Sequence, residues 1–409
     1  MKEVYATAIA SRLFTLSLGI LTYLSTGSYD SSAEIQLGGH GLLTAFLRWD
    51  ALYFLHIAEQ GYVYEQETAF FPLMPFLARL LTNTVFSPFE SILGRKYALL
   101  LSGVTIANVS FVLAAGALYE LTLTLLPKKK ALANVTAIAF CLSPPAMFMS
   151  SFYTESIFAL LSFVGMKWVT QRKYLKAAVI WSMASAARSN AIIYSGFFFY
   201  DLVWLRFIHQ RKDLIAGLIQ AMLYTLLTMS GFGLFQYYGY TRFCSLDRPW
   251  CADKLPLLYS FVQKEYWGNG FLSYYEIKQI PNFLLAAPII TISILGLKTF
   301  IQYDHLRFWT LGARQTKKQP EYDSFTSSKL SVFMYLWLFL LFFATTSMHV
   351  QVIIRFFTSL PPFYWYVGHV WIEGFGSNKR PFMAQLILGY FVLYGLVGIV
   401  LFSSFLPPA

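Results

Sequence analysis

Long apolar runs separated by short basic clusters are the feature that most constrains how this 409-residue chain can fold. Hydrophobic residues make up 57% of the sequence and charged residues only 12%, whereas a soluble domain has about 25% charged residues. So little polar surface cannot enclose a soluble protein of this size. Because a spanning helix needs roughly 20 apolar residues, we predict an all-α polytopic membrane protein, a multi-span helical bundle with about 9–11 spans.

The net charge of +11 does not indicate a nucleic-acid-binding protein, because the basic residues lie in short clusters between apolar runs. This arrangement is typical of cytosolic loops under the positive-inside rule. The composition also excludes a soluble enzyme and a disordered chain. The clusters are Lys128–Lys130, Arg172–Lys176, Arg211–Lys212, Lys317–Lys318 and Lys379–Arg380.

We interpret the whole chain, 1–409, as a single integral membrane domain without internal repeats. Lys2 and Arg12 place the start of the first span in the cytosol, and we read that span as retained because it lacks a convincing cleavage site. Segment 26–96 is acidic and poor in basic residues, so we predict a luminal loop with interfacial or re-entrant helices. The polar segment 298–329 is predicted to be a cytosolic loop.

An aromatic-rich segment, 240–282, is predicted to form a second luminal loop. Its rings either belong to an interfacial belt or stack on sugars, and it has more of them than a belt needs. Trp267, Gln279 and Asn282 are its candidate site residues.

Two of the three cysteines, Cys244 and Cys251, lie close together in that polar loop, whereas Cys141 lies in an apolar run. In an oxidising lumen the pair can form a disulfide. The sequence leaves the bonded and the free alternatives open.

Burying an ionisable residue at a membrane costs free energy unless the residue pairs with another or acts on a substrate. The first group of such residues lies in Arg48-Trp49-Asp50. On a membrane-skimming helix the Asp50 carboxylate would be partly desolvated, which raises its proton affinity and suits it to general-base catalysis. The alternative is a local surface ion pair between Arg48 and Asp50. His56 and Glu59 share another face of that helix, but no further ligands follow at zinc-like spacing.

Polar residues within apolar surroundings form two more groups. Thr154 and Glu155 either cap the helix that follows them or belong to a site. Arg188 and Asn190 interrupt a hydrophobic stretch, where Arg188 either extends to the membrane interface or holds a phosphate.

The last group is His349, Gln351 and Arg355. His349 and Arg355 are at positions i and i+6, so on a regular helix their side chains would diverge. They can converge on one ligand only if the helix is interrupted or the ligand is broad.

These groups allow two classes of protein. One is a membrane enzyme that acts on a lipid-linked substrate with a carboxylate base and phosphate-holding arginines. The other is a polytopic transporter or flippase of a lipid-linked or small anionic substrate. The candidate charges lie on one side of the membrane rather than at its midplane, and no inverted repeat is evident, so the pattern favours the enzyme.

A series of short motifs covers most of the chain. They are Arg48–Ala51, Ile57–Ala58, Gly61–Tyr62, Ala69–Leu73, Ser143–Pro144, Tyr153–Ser156, Arg188–Asn190, Gln279–Ala286 and His349–Val352. Each motif is weak by itself, but in this order they resemble the GPI mannosyltransferase 2 (PIG-V) family. The chain departs from the family at Ala191, where a glycine is usual, and around Trp267–Phe271, where the match is looser.

The resemblance implies a GT-C glycosyltransferase fold whose first luminal loop carries an acidic residue beside the active centre. It also implies transfer of mannose from dolichol-phosphate-mannose, in α-1,6 linkage, to the first mannose of a GPI-anchor precursor. Members of the family lie in the endoplasmic reticulum membrane with the active site facing the lumen. In yeasts they associate with a small membrane-anchored auxiliary subunit.

From the resemblance we expect Asp50 to be the general base of an inverting displacement. Arginines would stabilise the departing phosphate, so we expect neither a metal nor another cofactor. The expected substrate-contacting residues are Arg48, Trp49, His56, Glu59, Glu155, Arg188, Asn190, Trp267, Gln279, Asn282, His349, Gln351 and Arg355.

Overall fold

The computed structural model describes residues 1–209, 213–244, 248–314 and 324–407, and within these ranges the regular structure is helical. The basic clusters Arg211–Lys212 and Lys317–Lys318 lie outside the described residues. The first helices are α1 (Lys2–Thr26), α2 (Ser32–Leu37), α3 (Asp50–Gln60), α4 (Leu73–Asn83), α5 (Ser87–Leu93), α6 (Arg95–Leu125), α7 (Lys130–Cys141), α8 (Glu155–Thr170) and α9 (Tyr174–Ser185). They are followed by α10 (Ser195–Phe199), α11 (Leu205–His209), α12 (Leu214–Phe243), α13 (Leu258–Glu265), α14 (Ile280–Tyr303), α15 (His305–Trp309), α16 (Ser331–Thr346), α17 (Ile353–Phe356), α18 (Pro361–Trp371) and α19 (Pro381–Ser403).

Among the described residues, 7 helical segments are long and apolar enough to cross a membrane. This confirms the predicted all-α polytopic class. The number is smaller than the about 9–11 spans expected from a 20-residue span length, because several predicted spans fold as short helices such as α7, α8 and α9. The long segments are Lys2–Thr26, Arg95–Leu125, Ser189–Ile208, Leu214–Phe243, Ile277–Tyr303, Ser328–Thr346 and Pro381–Ser403.

Helix α6 lies at the centre of the N-terminal half and packs against α1, α4, α7 and α8. Small residues allow this close packing, as is general for helices in membranes. A Cβ atom at Gly103 would lie 2.4 Å from the ring of Phe152. At Gly116 it would lie 2.5 Å from the hydroxyl of Tyr5. These glycines therefore let aromatic side chains from neighbouring segments pack directly on the α6 backbone.

Arg12 lies inside the bundle rather than at the basic cytosolic end to which the sequence assigned it. Only 3% of the residue is exposed. Its Nη1 atom donates hydrogen bonds of 2.9 Å to the carbonyl of Ala146 and to Oγ of Ser150. Its guanidinium lies 3.7 Å from the centre of the Phe111 ring. Arg12 therefore holds the irregular segment between α7 and α8.

The region 26–96, called the first loop here, folds into the short helices α2 to α5. Pro72 is the N-cap of α4 and Pro88 lies in the first turn of α5, positions where proline costs no helical hydrogen bond. Gly94 has a φ of 82°, which separates α5 from α6. The segment between Phe70 and α6 therefore forms two short helices, α4 and α5, instead of one long one.

The described part of 240–282, called the second loop here, is fixed to the first loop through Glu65. The Glu65 carboxylate accepts hydrogen bonds from Arg248 Nη2 at 2.6 Å, Trp250 Nε1 at 2.7 Å and the Tyr266 hydroxyl at 3.0 Å. Burial raises the pKa of Glu65, but these hydrogen bonds outweigh it and leave the pKa below its ordinary value. In the same loop the sulfurs of Cys244 and Cys251 form a disulfide.

Candidate active site

A cavity of about 450 Å³ lies where both loops meet the ends of the long helices. Its volume is in the range of small-molecule sites. Aromatic rings, amides and charged groups all contribute to its wall. Of the predicted site residues, it brings together Trp49, Asp50, Arg188, Asn190, Trp267, His349, Gln351 and Arg355.

Two carboxylates and two guanidinium groups form a continuous cluster at this cavity. The Nη2 atom of Arg355 donates to Asp50 at 2.9 Å, and its Nε atom donates to Glu155 at 2.8 Å. The Nη1 atom of Arg188 donates to the same oxygen of Glu155 at 3.0 Å. Because the four charges cancel, the cluster can exist at a membrane without a net charge.

Asp50 is the first residue of α3, so its carboxylate lies at the positive end of the helix dipole. The preceding residue, Trp49, has a φ of 54°, a left-handed conformation that non-glycine residues rarely adopt. The buried hydroxyl of Tyr153 holds this turn. It accepts from the Asp50 backbone N–H at 3.1 Å and donates to the Arg48 carbonyl at 2.9 Å.

The local ion pair considered between Arg48 and Asp50 is wrong. The Arg48 side chain is fully buried and lies 3.3 Å from the carboxylate of Glu34, on α2. It also donates to the Ser403 carbonyl at 3.4 Å and lies over the rings of Tyr23 and Phe405. The left-handed turn at Trp49 directs the Arg48 side chain away from Asp50. The ion-pair partner of Asp50 is Arg355.

Glu155 is the first residue of α8, and the structure explains its position more specifically than a helix cap does. Thr154 is the N-cap residue, yet its side chain makes no capping hydrogen bond. The Glu155 side chain is 0% exposed and pairs with both arginines. Arg188 follows α9 in an extended conformation, and its side chain pairs with Glu155. Thr154 therefore does not cap α8 through its side chain, and both Glu155 and Arg188 belong to the charged cluster.

The segment carrying His349 and Arg355 contains the interruption that their convergence requires. Residues Val350–Val352 form a 3₁₀ turn, and α17 starts only at Ile353. His349 Nε2 donates to the Trp267 carbonyl at 2.7 Å, and the His349 ring stacks on Tyr274 at 4.5 Å. His349 therefore joins this segment to the second loop, while Arg355 reaches Asp50.

Six predicted residues, Gln279 among them, do not line the cavity. Arg48 pairs with Glu34, His56 pairs with Glu67, and Glu59 lies 4.0 Å from Lys96. Asn282 donates to Gln279 at 2.7 Å and to the Tyr274 hydroxyl at 2.8 Å. Glu155 contacts the cavity only through its arginines. In the part of the chain that is described, no three His, Cys, Asp or Glu side chains form a group that could hold a metal.

Other cavity residues were not predicted from the sequence as site residues. They include aromatic rings, two amides and one serine hydroxyl, groups that commonly contact carbohydrate, and several come from the second loop. The polar pair Gln263 and Asn269 was detectable only as part of a polar stretch around Trp267. The residues are Phe54, Phe70, Phe71, Phe148, Ser189, Tyr259, Gln263 and Asn269.

The overall fold is similar to that of an archaeal oligosaccharyltransferase, AglB from Archaeoglobus fulgidus, solved in complex with an inhibitory peptide and a dolichol-phosphate. The TM-score is 0.55 at 10% sequence identity, over 98% of this chain and 56% of that chain. The apo structure from the same organism gives a TM-score of 0.53. The chain thus spans about half the length of these proteins. The similarity confirms the predicted GT-C fold.

Sequence relatives are similar over nearly the whole chain. GPI alpha-1,6-mannosyltransferase 2 of Homo sapiens is 32% identical over 490 residues, which cover 99% of this chain and 98% of the relative. GPI mannosyltransferase 2 of Schizosaccharomyces pombe is 32% identical over 375 residues, which cover 90% of this chain and 74% of the relative.

The sequence profile of the family described as Mannosyltransferase (PIG-V) matches residues 1–409. These similarities favour the glycosyltransferase over the transporter or flippase that the sequence pattern left open. The chain is a multi-pass membrane protein that belongs to the PIG-V family of mannosyltransferases.

Proposed function

We propose that this GPI-anchor mannosyltransferase takes mannose from dolichol-phosphate-mannose and attaches it in α-1,6 linkage to the first mannose of the GPI precursor. One observation carries the proposal. A carboxylate, Asp50, and a guanidinium, Arg355, lie 2.9 Å apart in the wall of a single cavity. The transfer of a sugar from a phosphate requires a base for the nucleophile and a cation for the leaving group, and this pair supplies both.

Asp50 acts as the general base. The donor is β-linked and the product is α-linked, so a single displacement with inversion is the simplest reaction. The acceptor 6-hydroxyl loses its proton to Asp50 while its oxygen forms a bond to the anomeric carbon. The Asp50 side chain is 30% exposed, so it is accessible from the cavity to a substrate hydroxyl.

Arg355 stabilises the leaving group. As the bond between the anomeric carbon and the phosphate oxygen breaks, the electron pair stays on that oxygen and the phosphate gains one negative charge. At the same time Asp50 becomes neutral by taking the proton. The positive charge of Arg355 is then no longer balanced by Asp50 and is available to the phosphate. Arg188 is held within the same cluster by Glu155 and contributes a second cation.

The lipid tails of both substrates account for the apolar composition. Each buried methylene contributes about 0.8 kcal/mol to membrane binding, so the bilayer holds a long prenyl chain and the protein needs to bind only the head groups. The archaeal protein of the same fold was solved with a dolichol-phosphate, which supports a lipid-phosphate donor here.

We further propose that the protein resides in the endoplasmic reticulum and that the cavity faces its lumen. The disulfide Cys244–Cys251 follows the end of α12, where Phe235 packs on Phe71 of the cavity wall at 5.1 Å. The disulfide and the cavity are therefore at the same end of the bundle. Disulfides persist in oxidising compartments, which supports a luminal location for this end.

A small membrane-anchored auxiliary subunit is also proposed, on the basis of the family resemblance. Helix α12 offers a surface for it, since only 17% of its most apolar stretch is buried within the chain. Site-specific photo-crosslinking from Leu223 or Leu226, which are 59% and 66% exposed, would capture such a subunit from native membranes. Crosslinking of these positions to lipid alone would contradict the proposed surface.

The experiment for the activity uses the purified full-length chain in liposomes. It is supplied with dolichol-phosphate-mannose and a GPI precursor that bears one mannose, with no ion gradient and with or without a metal chelator. We expect one mannose to be added, to be released by an α-1,6-specific mannosidase, and to form equally in the presence of the chelator. Absence of product, or product only with a gradient, would overturn the proposed function, and loss of activity with the chelator would overturn the metal-free mechanism.

A further inference from the structure

We propose that the side-chain amides of Gln263 and Asn269 bind two adjacent hydroxyl groups on the sugar ring of the acceptor, and so form its specificity subsite. This inference rests on the proposed function. It assigns to the acceptor a part of the cavity that the proton-transfer and phosphate chemistry does not use.

The two amides lie side by side in the cavity wall. Nδ2 of Asn269 donates to Oε1 of Gln263 at 2.6 Å, and both residues line the cavity. This bond uses one donor and one acceptor. The pair retains the carbonyl oxygen of Asn269, which is buried and has no hydrogen-bond partner among the described residues, and the amide nitrogen of Gln263. An unfilled hydrogen bond at a buried oxygen is unfavourable, so a ligand that donates to it is stabilised.

The pattern does not depend on how each amide is oriented. If both amides were rotated by 180°, Gln263 would donate to Asn269, and the pair would again present one free carbonyl and one free amide nitrogen. One acceptor next to one donor matches two neighbouring hydroxyl groups, of which one donates and the other accepts. Adjacent hydroxyl pairs are a regular feature of a pyranose ring and are absent from a phosphate or a prenyl chain.

Local backbone geometry explains why residues 263 and 269 meet. Gln263 lies in the last turn of α13, and Gly268 follows the helix with a φ of 63°. The Gly268 N–H bonds to the Lys264 carbonyl at 3.1 Å, the pattern of a left-handed C-cap. The chain then turns back, and the Asn269 N–H bonds to the Gln263 carbonyl at 2.9 Å. Because the backbone fixes both residues, the amide pair exists before any substrate binds.

The aromatic neighbours connect this pair to the side of the cavity that carries the base. Trp267, between the two amides in sequence, packs edge-on against Phe70 at 5.7 Å. Phe70 stacks on Tyr53 at 4.6 Å, one turn after Asp50 on α3. In an inverting displacement the acceptor hydroxyl must lie beside the base, whereas the donor is fixed by its phosphate. The amides and the Trp267 ring therefore contact the acceptor sugar.

Acceptor analogues test this subsite. A GPI precursor bearing one mannose is compared with analogues that lack the 2-, 3- or 4-hydroxyl of that mannose. With the wild-type chain we expect the KM for the acceptor to rise about 10-fold for two neighbouring positions, because each analogue leaves one amide without its partner. In Asn269→Leu and Gln263→Leu the KM for the complete acceptor should be raised by a similar factor. Removal of the same hydroxyls should then have little further effect.

The donor provides the internal control. The KM for dolichol-phosphate-mannose should remain within about 2-fold of wild type in both variants, which also shows that they are folded. Lys278→Ala, an exposed change in the same loop, should change neither KM. Two results would overturn the proposed subsite. One is a higher KM for the donor in Asn269→Leu and Gln263→Leu. The other is an acceptor KM that, in these variants, still rises as much as in wild type when the hydroxyls are removed. Failure of the wild-type chain to transfer mannose would instead overturn the proposed function.

Discussion

Arg355 and Asp50 are 305 positions apart in the chain, yet the Arg355 guanidinium lies 2.9 Å from the Asp50 carboxylate. Their elements explain the contact. Asp50 begins α3 after a left-handed residue, and Arg355 follows a 3₁₀ turn that interrupts its helix. Glu155 orients the same guanidinium from the other side at 2.8 Å. The pair is therefore positioned by three separate parts of the chain and remains available to the cavity.

Replacing Asp50 by Asn should abolish most mannose transfer while leaving the fold intact. The amide has nearly the same shape but cannot take a proton, so we expect the rate to fall by about 10²–10⁴-fold, the usual contribution of general-base catalysis. The measurement is the initial rate in liposomes at equal amounts of purified protein. Asp30→Asn, a change at a partly exposed side chain in the first loop, is the control and should retain full activity. A near-normal rate in Asp50→Asn would remove Asp50 as the base.

Replacing Glu155 by Gln should destabilise the protein as well as weaken its activity. The Glu155 side chain is 0% exposed and is shared by two arginines. Removing one member of a buried ion cluster typically costs about 3–5 kcal/mol, because a charge is left buried without its partner. We expect a clear decrease in the melting temperature in detergent.

The control for that change is Glu120→Gln. Glu120 pairs with Lys167 at 2.7 Å, but its side chain is 39% exposed, and an exposed pair contributes less than about 1 kcal/mol. Its melting temperature should stay near that of wild type. Equal destabilisation by both substitutions would show that the position of Glu155 within the cluster has no special importance.

The sequence predicts the helical membrane class well, because span-length apolar runs and basic clusters are local properties of composition. It also identifies Asp50, Arg188 and Arg355 as candidates, since charged residues in apolar surroundings require a partner or a function. It does not reveal which charges pair. Arg48 is adjacent to Asp50 in sequence, but the left-handed conformation of Trp49 separates them. The contact between the amides of Gln263 and Asn269 could not be predicted from the sequence either, because it depends on the turn at Gly268.

The connection between the two loops should weaken at acidic pH. The pKa of Glu65 is below its ordinary value of 4.5, because hydrogen bonds from Arg248, Trp250 and Tyr266 outweigh the effect of burial. A carboxyl group whose pKa is lower in the folded state stabilises that state above the unfolded pKa, and this contribution is lost as the pH falls through the folded pKa. We therefore expect Glu65→Gln to lower the melting temperature at pH 7 and to have progressively less effect below about pH 4.5.

Thermal unfolding of both proteins between pH 7 and pH 3 measures this difference. Glu265→Gln removes an exposed carboxylate from the second loop and serves as the matched control, with a melting temperature near that of wild type throughout. A difference between wild type and Glu65→Gln that stayed constant over the whole range would show that ionised Glu65 does not hold the loops together.

Glycosylation tests on which side of the membrane the cavity lies. An acceptor sequence for N-glycosylation inserted after Tyr29 lies in the first loop, where Tyr29 is 81% exposed. The same sequence inserted after Gly376 lies between α18 and α19, before the first residue of α19. Ser404 follows the other end of α19, and its carbonyl accepts a hydrogen bond from the Tyr29 backbone N–H at 2.9 Å. The two insertions are therefore at opposite ends of α19. Because glycans are attached in the lumen, only the insertion after Tyr29 should shift in an electrophoretic mobility assay, and the shift should disappear after endoglycosidase treatment. A glycan after Gly376 and none after Tyr29 would place Asp50 on the cytosolic side.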